Sequence, residues 1–198
     1  MNETVVVLRG GGRFAALYTL AMNFIIRVAK TGDIPAIREL IAASVRGLQM
    51  EYGEAEREAA LATVFTVDSR LIADGTYLVA MDGDRMAGCG GWSYRKTLYG
   101  GDHQIESAED GILDAAVDAA KIRAIFVHPD YARKGLGSRL LRAAEDRAAK
   151  AGFWKAEMGS TLAGVALYTA KGYRREAVVQ VPVGAGLRIE VVRMTKLL

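Results

Sequence analysis

Ala124-Ile-Phe-Val-His-Pro-Asp-Tyr-Ala-Arg-Lys-Gly-Leu-Gly-Ser-Arg-Leu-Leu-Arg142 decides the fold. It reads as a short apolar strand, a proline turn, a loop in which one residue separates Gly135 from Gly137, and a helix starting on Ser138. Backbone N–H groups at such a helix start have no intrahelical acceptor, and the helix dipole adds partial positive charge at the same place. The loop is therefore an anion cradle. Glycine suits it because a side chain would hold a phosphate away from the amides and because the tight turn favours positive φ. Arg133 and Lys134 add full positive charge beside it. No Gly-Lys-Ser/Thr follows, as a P-loop requires, and the three-glycine dinucleotide fingerprint is incomplete. The pattern that remains is a pyrophosphate held by main chain.

A second stretch lies about one helix further on, Ser160-Thr-Leu-Ala-Gly-Val-Ala-Leu-Tyr168-Thr-Ala-Lys-Gly172-Tyr173. Together the two segments resemble the acyl-CoA-binding region of the GNAT superfamily of N-acyltransferases. The family's loop begins with Arg or Gln where this chain has Ala132, with Arg133 one place later; the change touches a side-chain contact and leaves the amides intact. The resemblance implies a single α/β (α+β) domain. Its central sheet is mixed, mostly antiparallel and splayed at the cofactor-binding strand, with helices on both faces. It also implies acetyl-CoA as co-substrate. The pantetheine arm would lie along the main chain of Ile125, Phe126 and Val127, and the pyrophosphate on Arg133, Lys134, Gly135, Leu136, Gly137 and Ser138. Tyr168 would meet the departing thiolate. The activity implied is an acetyl-CoA-dependent N-acetyltransferase that moves an acetyl group directly to a primary amine of a small molecule or peptide. A non-catalytic CoA-binding or regulatory module on the same scaffold is the alternative.

The chemistry needs a neutral amine, a donor for the oxyanion and a partner for the thiolate. A primary amine has a pKa near about 10.4, so a carboxylate or ordered water must accept its proton. Glu157 is the first choice for that base and Glu51 the second. His128 is assigned to the His-Pro turn. The Val127 N–H is the candidate oxyanion donor.

At 198 residues and 51% hydrophobic content the chain supports one domain with a substantial core. The formal charge of +3 is mildly basic. It suits an anionic ligand, but Lys and Arg are scattered where nucleic-acid binding needs them clustered, so nucleic acid is not expected. Cys89 is the sole cysteine, which excludes an internal disulfide and suits a reducing, cytoplasmic location. It has no base beside it in sequence and reads as a buried small hydrophobe. His103 and His128 lack ligand-like spacing, so no metal is expected. The apolar run from Phe14 to Ile26 is too short for a membrane span and is interrupted by Asn23.

Residues 1–21 read as an appended or misassigned leader and 22–198 as the catalytic domain. Asn23 to Ala29 is a first strand, and Asp33 is placed to start the helix carrying Ile37, Leu40 and Ile41. The helical stretch from Val45 to Val64 breaks near Gly53. The resemblance places acceptor recognition there. Tyr77–Met81 and Met86–Tyr94 form a hairpin across Asp82-Gly-Asp-Arg85. Within it, Gly88-Cys-Gly-Gly-Trp92 marks a bulge or close backbone approach, with Trp92 and Tyr94 as walls of the acceptor cleft. Thr97 to Ala120 is an acidic insertion that would attract a cationic amine. Strands follow at 121–127, 153–159, 173–181 and 187–194, the last two joined by a loop at 182–186. Their exposure leaves room for a homodimer.

Overall fold

The computed structural model describes residues 24–98 and 111–198. The 1–21 leader and the middle of the acidic insertion lie outside the described residues. The elements are β1 (Ile25–Val28), α1 (Ile34–Leu48), α2 (Glu54–Ala62), α3 (Ser69–Ala73), β2 (Tyr77–Asp82), β3 (Arg85–Ser93), β4 (Ala120–Val127), α4 (Leu136–Lys150), β5 (Lys155–Thr161), α5 (Val165–Ala170), β6 (Arg174–Gly184) and β7 (Leu187–Leu197). Seven strands form one mixed sheet in the order β1-β2-β3-β4-β5-β7-β6. Every neighbouring pair is antiparallel except β4 and β5.

Strand alternation explains why helices cover both faces. Tyr77 and Val79 point to a core built with Ile37, Leu40, Ile41 and Val45 of α1. Leu78 and Ala80, one residue out of phase, meet Leu136 and Leu140 of α4 on the opposite face. Leu140, Leu141 and Ala144 are buried, as the spacing along α4 requires. Full burial of each such leucine contributes about 1.5–3 kcal/mol. A further cluster packs Tyr52 and Ala60 against Val181, Val183, Ile189 and Val191 of the last two strands.

The glycines of β3 act as close-approach positions. A Cβ on Gly88 would lie 2.9 Å from Leu140 Cδ1, so α4 can settle onto the sheet there. The pairing of β3 with β4 shifts between Cys89 and Gly91, where Ala124 takes a positive φ of 54°. Trp92, in contrast, packs in the core and meets Phe153 and Tyr94 edge to face, and neither Trp92 nor Tyr94 lines the clefts described below. Large flat rings at this point of the sheet are worth more as packing than as a wall.

Several boundaries differ from the sequence reading for local reasons. Helix α4 starts at Leu136, two residues early, because Gly135 adopts the left-handed conformation (φ 80°) and serves as N-cap. Asp33 does occupy the α1 N-cap, but its carboxylate turns back to the Lys30 N–H at 2.7 Å and to Arg27. Pro182 lies inside β6, opposite Arg188, where a 182–186 loop was expected. An edge strand tolerates proline because its outward side needs no donor. The short helix α3 was not anticipated. Asp68 caps it by accepting from the Leu71 N–H.

Candidate functional site

Only Ala120 and Lys121 of β4 pair with β5, opposite Ala156 and Glu157. Beyond them β5 stays with β7 along its length and β4 stays with β3. The sheet thus forks, and the residues of β4 from Ile122 to Val127 have an open edge. The His128 N–H donates to Ala87 O on β3, so strand alternation turns the Val127 N–H the other way, into the fork.

The closed end of the fork is an ion cluster. Glu157 accepts from Lys121 Nζ at 2.7 Å and from Arg193 Nε. Burial pulls its carboxyl pKa up, but the two cations outweigh it and hold the group below the usual carboxylate range. Glu157 lines neither cleft. This corrects the expectation that it accepts the amine proton, since a carboxylate committed to two cations away from the cleft can neither reach that proton nor compete for it.

The open end leads to the anion loop. The chain turns at Pro129–Tyr131, where His128 Nδ1 accepts from the Asp130 N–H at 3.2 Å, a structural role. Arg133 (φ 61°) and Gly135 then carry the main chain into α4. Among the described residues, none of the N–H groups from Arg133 to Ser138 has a hydrogen-bond acceptor in the protein. A Cβ on Gly137 would sit 3.2 Å from Leu167 Cδ2, so that residue's smallness keeps the loop close to α5.

Between loop and fork lies a cleft of about 390 Å³. Ile125 and Val127 line one side, Thr161, Gly164, Leu167 and Tyr168 the other, and Arg133, Gly135, Leu136, Gly137 and Ser138 its end. Lys134 is absent from the lining: its Nζ donates back to Asp130 O at 2.7 Å and lies over the Tyr131 ring. Phe126 faces a second, inner cleft of about 90 Å³. Tyr168 is buried where the two clefts meet, and burial pushes its phenol pKa well above the ordinary value. A Cβ on Gly164 would fall 2.7 Å from its ring, so the glycine makes room for it.

The structure also brings further residues to the site, among them Gln49, which the sequence did not single out. Gln49, at the end of α1, lines both clefts, and Glu51, the second choice for a base, lines the outer one. Gly47 lets α1 approach the loop, because a Cβ there would lie 2.7 Å from Pro129 Cγ. Tyr52 ties the α1–α2 joint to the site: its hydroxyl donates to Glu190 O at 2.6 Å and accepts from the Leu162 N–H at 3.1 Å. Among the described residues no group of three or more His, Cys, Asp and Glu is placed to hold a metal, and no helix is long and apolar enough to cross a membrane.

Known structures share this architecture. A GCN5-related N-acetyltransferase from Rhodopseudomonas palustris superimposes with a TM-score of 0.66 at 19% identity, over 89% of this chain and 96% of that one. PaiA N-acetyltransferase from Thermoplasma acidophilum, in complex with coenzyme A, gives 0.62 at 16% identity, over 89% and 100%. The ribosomal-protein-S18-alanine N-acetyltransferase of Escherichia coli gives 0.55 at 17%, over 87% and 92%. No curated protein sequence matches. The sequence model of the acetyltransferase (GNAT) family matches residues 35–173. That match spans well over half of the 198 residues, and the chain belongs to the GNAT family of acetyltransferases.

Proposed function

We propose that the protein is an acetyl-CoA-dependent N-acetyltransferase that transfers acetyl directly to a primary amine of a small molecule or peptide. The observation that carries this is the open β4 edge, which runs from the unengaged amides at 133–138 to the buried Tyr168. An extended arm bearing amides completes such an edge by β-augmentation, and a diphosphate fits a row of amides at a helix start.

Bound acetyl-CoA supplies a thioester whose C–S bond breaks as the amine's C–N bond forms. The chain supplies the rest. The Val127 N–H, turned into the fork, donates to the carbonyl oxygen as negative charge develops on it. Tyr168 faces the sulfur. Its raised pKa makes it a poor source of a full proton, so its work is a hydrogen bond to the departing thiolate. The amine's proton leaves through water at the cleft mouth, where Glu51 is the carboxylate that lines the passage.

The test is Tyr168→Phe. Calorimetry should show acetyl-CoA binding unchanged, while kcat for CoA release falls about 100–10,000-fold, the range for losing one transition-state donor or acid–base partner. Binding of acetyl-CoA by the wild type without transfer to any amine would identify a non-catalytic module.

A further inference from the structure

Between Ala132 and Ser138, Arg133 is the one residue other than glycine with positive φ, 61°. An L side chain adopts that conformation only where its surroundings hold it, whereas glycine would take the same angle freely. Arg133 is exposed, so burial of its own side chain does not do the holding. Something beside it must.

The neighbours are tied to the end of the β2–β3 hairpin. Asp82 and Arg85 pair across that turn, and both reach the segment preceding Arg133. Tyr131 is buried, and its hydroxyl donates to Asp82 Oδ2 at 3.0 Å. The Arg85 guanidinium pairs with Asp130 at 2.5 Å and lies over the Tyr131 ring, 5.4 Å from its centroid. On the following side of Arg133, Lys134 Nζ donates back to Asp130 O at 2.7 Å and lies 5.7 Å from the same ring centroid. That bond spans Arg133 and restrains the residues before and after it. The Arg85–Asp130 pair is more than half exposed on both partners and contributes little by itself, so the buried tyrosine is the stronger link.

Resting on the acetyltransferase reading, we infer that Tyr131 is a positioning residue for the co-substrate. With Asp82 and Lys134 it clamps Arg133 in the left-handed conformation and so keeps the amides from Arg133 to Ser138 aimed at the diphosphate before it arrives. Tyr131, Arg133 and Gly135 all line the outer cleft, so the clamp and the amides belong to one wall. A loop held in advance loses little further freedom on binding. Once released, Arg133 relaxes to negative φ and the amides turn with it. Affinity for the diphosphate thereby depends on the β2–β3 turn, although neither Asp82 nor Arg85 lines that cleft. Lys134 acts on the same loop geometry, through Asp130 and the Tyr131 ring, and not as a charge placed on the phosphates.

The experiment is a double-mutant cycle read by titration calorimetry with acetyl-CoA. Tyr131→Phe, which removes only the hydroxyl, and Lys134→Met, which keeps the stem, are each measured alone and combined with Arg133→Gly, beside the wild type and Arg133→Gly itself. With Arg133 present, each clamp variant should weaken binding about 3–30-fold, the upper figure being the population lost when one left-handed L residue is released. In the Arg133→Gly background the same substitutions should change affinity by less than about twofold, because glycine needs no holding. A direct contact of Lys134 with phosphate, or a merely structural role for Tyr131, costs the same factor in both backgrounds and would overturn the clamp. Wild-type affinity in both clamp variants overturns it as well. If acetyl-CoA does not bind the wild type, the acetyltransferase reading itself fails, and the clamp with it.

Discussion

Gly135 offers the sharpest test of the amide cradle. It sits at φ 80°, and a Cβ placed on it meets nothing within 4 Å, so Gly135→Ala introduces conformational strain without a clash. Holding an L residue in that region costs about 1–2 kcal/mol. For a chain of this size each kcal/mol lowers the melting temperature by roughly 2–4 °C. The loop has a second way out: it can relieve the strain by rotating, which turns one or more amides away from the ligand. A hydrogen bond from an amide to a charged oxygen contributes about 1.5–3 kcal/mol, so losing one weakens acetyl-CoA binding about 10–150-fold. Gly186, in the turn between β6 and β7, is the matched control, with φ 75° and open space around it. Gly186→Ala should lose similar stability and bind acetyl-CoA as the wild type does. Titration calorimetry and thermal melts on the three proteins suffice. Equal affinity in Gly135→Ala and the wild type, with the stability loss of the control, would refute the cradle.

Other consequences follow from buried groups. Glu157→Gln leaves Lys121 largely buried without its counter-ion, and unpairing a buried charge costs about 3–5 kcal/mol; denaturant melts should show that loss, while the pH profile of kcat keeps its shape. Because the folded state holds the Glu157 carboxyl below its ordinary value of 4.5, its contribution is present in full above that value. That contribution is lost as pH falls through the folded pKa, so the melting temperatures of wild type and Glu157→Gln should converge in acid. Cys89 is buried, accepts from the Tyr77 hydroxyl at 3.3 Å, and has a thiol pushed up to about 12 by burial. A thiol reagent at pH 7 should therefore label it only after denaturation. Tyr52→Phe strands the Leu162 N–H and Glu190 O, and a loss of about 1–3 kcal/mol is expected in denaturant melts.

The glycine loop between β4 and α4 was legible in the linear chain because its signals are local: two glycines, a helix start and a strand, all within about twenty residues. The hairpin of β2 and β3 was legible for the same reason, as was the buried face of α4. What could not be read there was which side chains meet across the fork. Alternation along β5 places Glu157 on one face, but its capture by Lys121 and Arg193 depends on strands brought together from 36 residues away on either side. Gln49 carried no local signal at all. It is one amide at the end of an amphipathic helix, and it matters because Gly47 lets that helix approach Pro129 while β4 and β5 part.

The division has a physical cause. Main-chain donors and turn glycines act through bonds a few residues apart, so the order of amino acids alone determined the glycine loop, the helix start that follows it and the strand that feeds it. Burial, charge pairing and the shape of an empty space are properties of neighbours that are distant in sequence, set by packing and strand order. Tertiary structure therefore decided that Glu157 closes the fork, that Tyr168 stands between two clefts, and that Gln49 lines both of them.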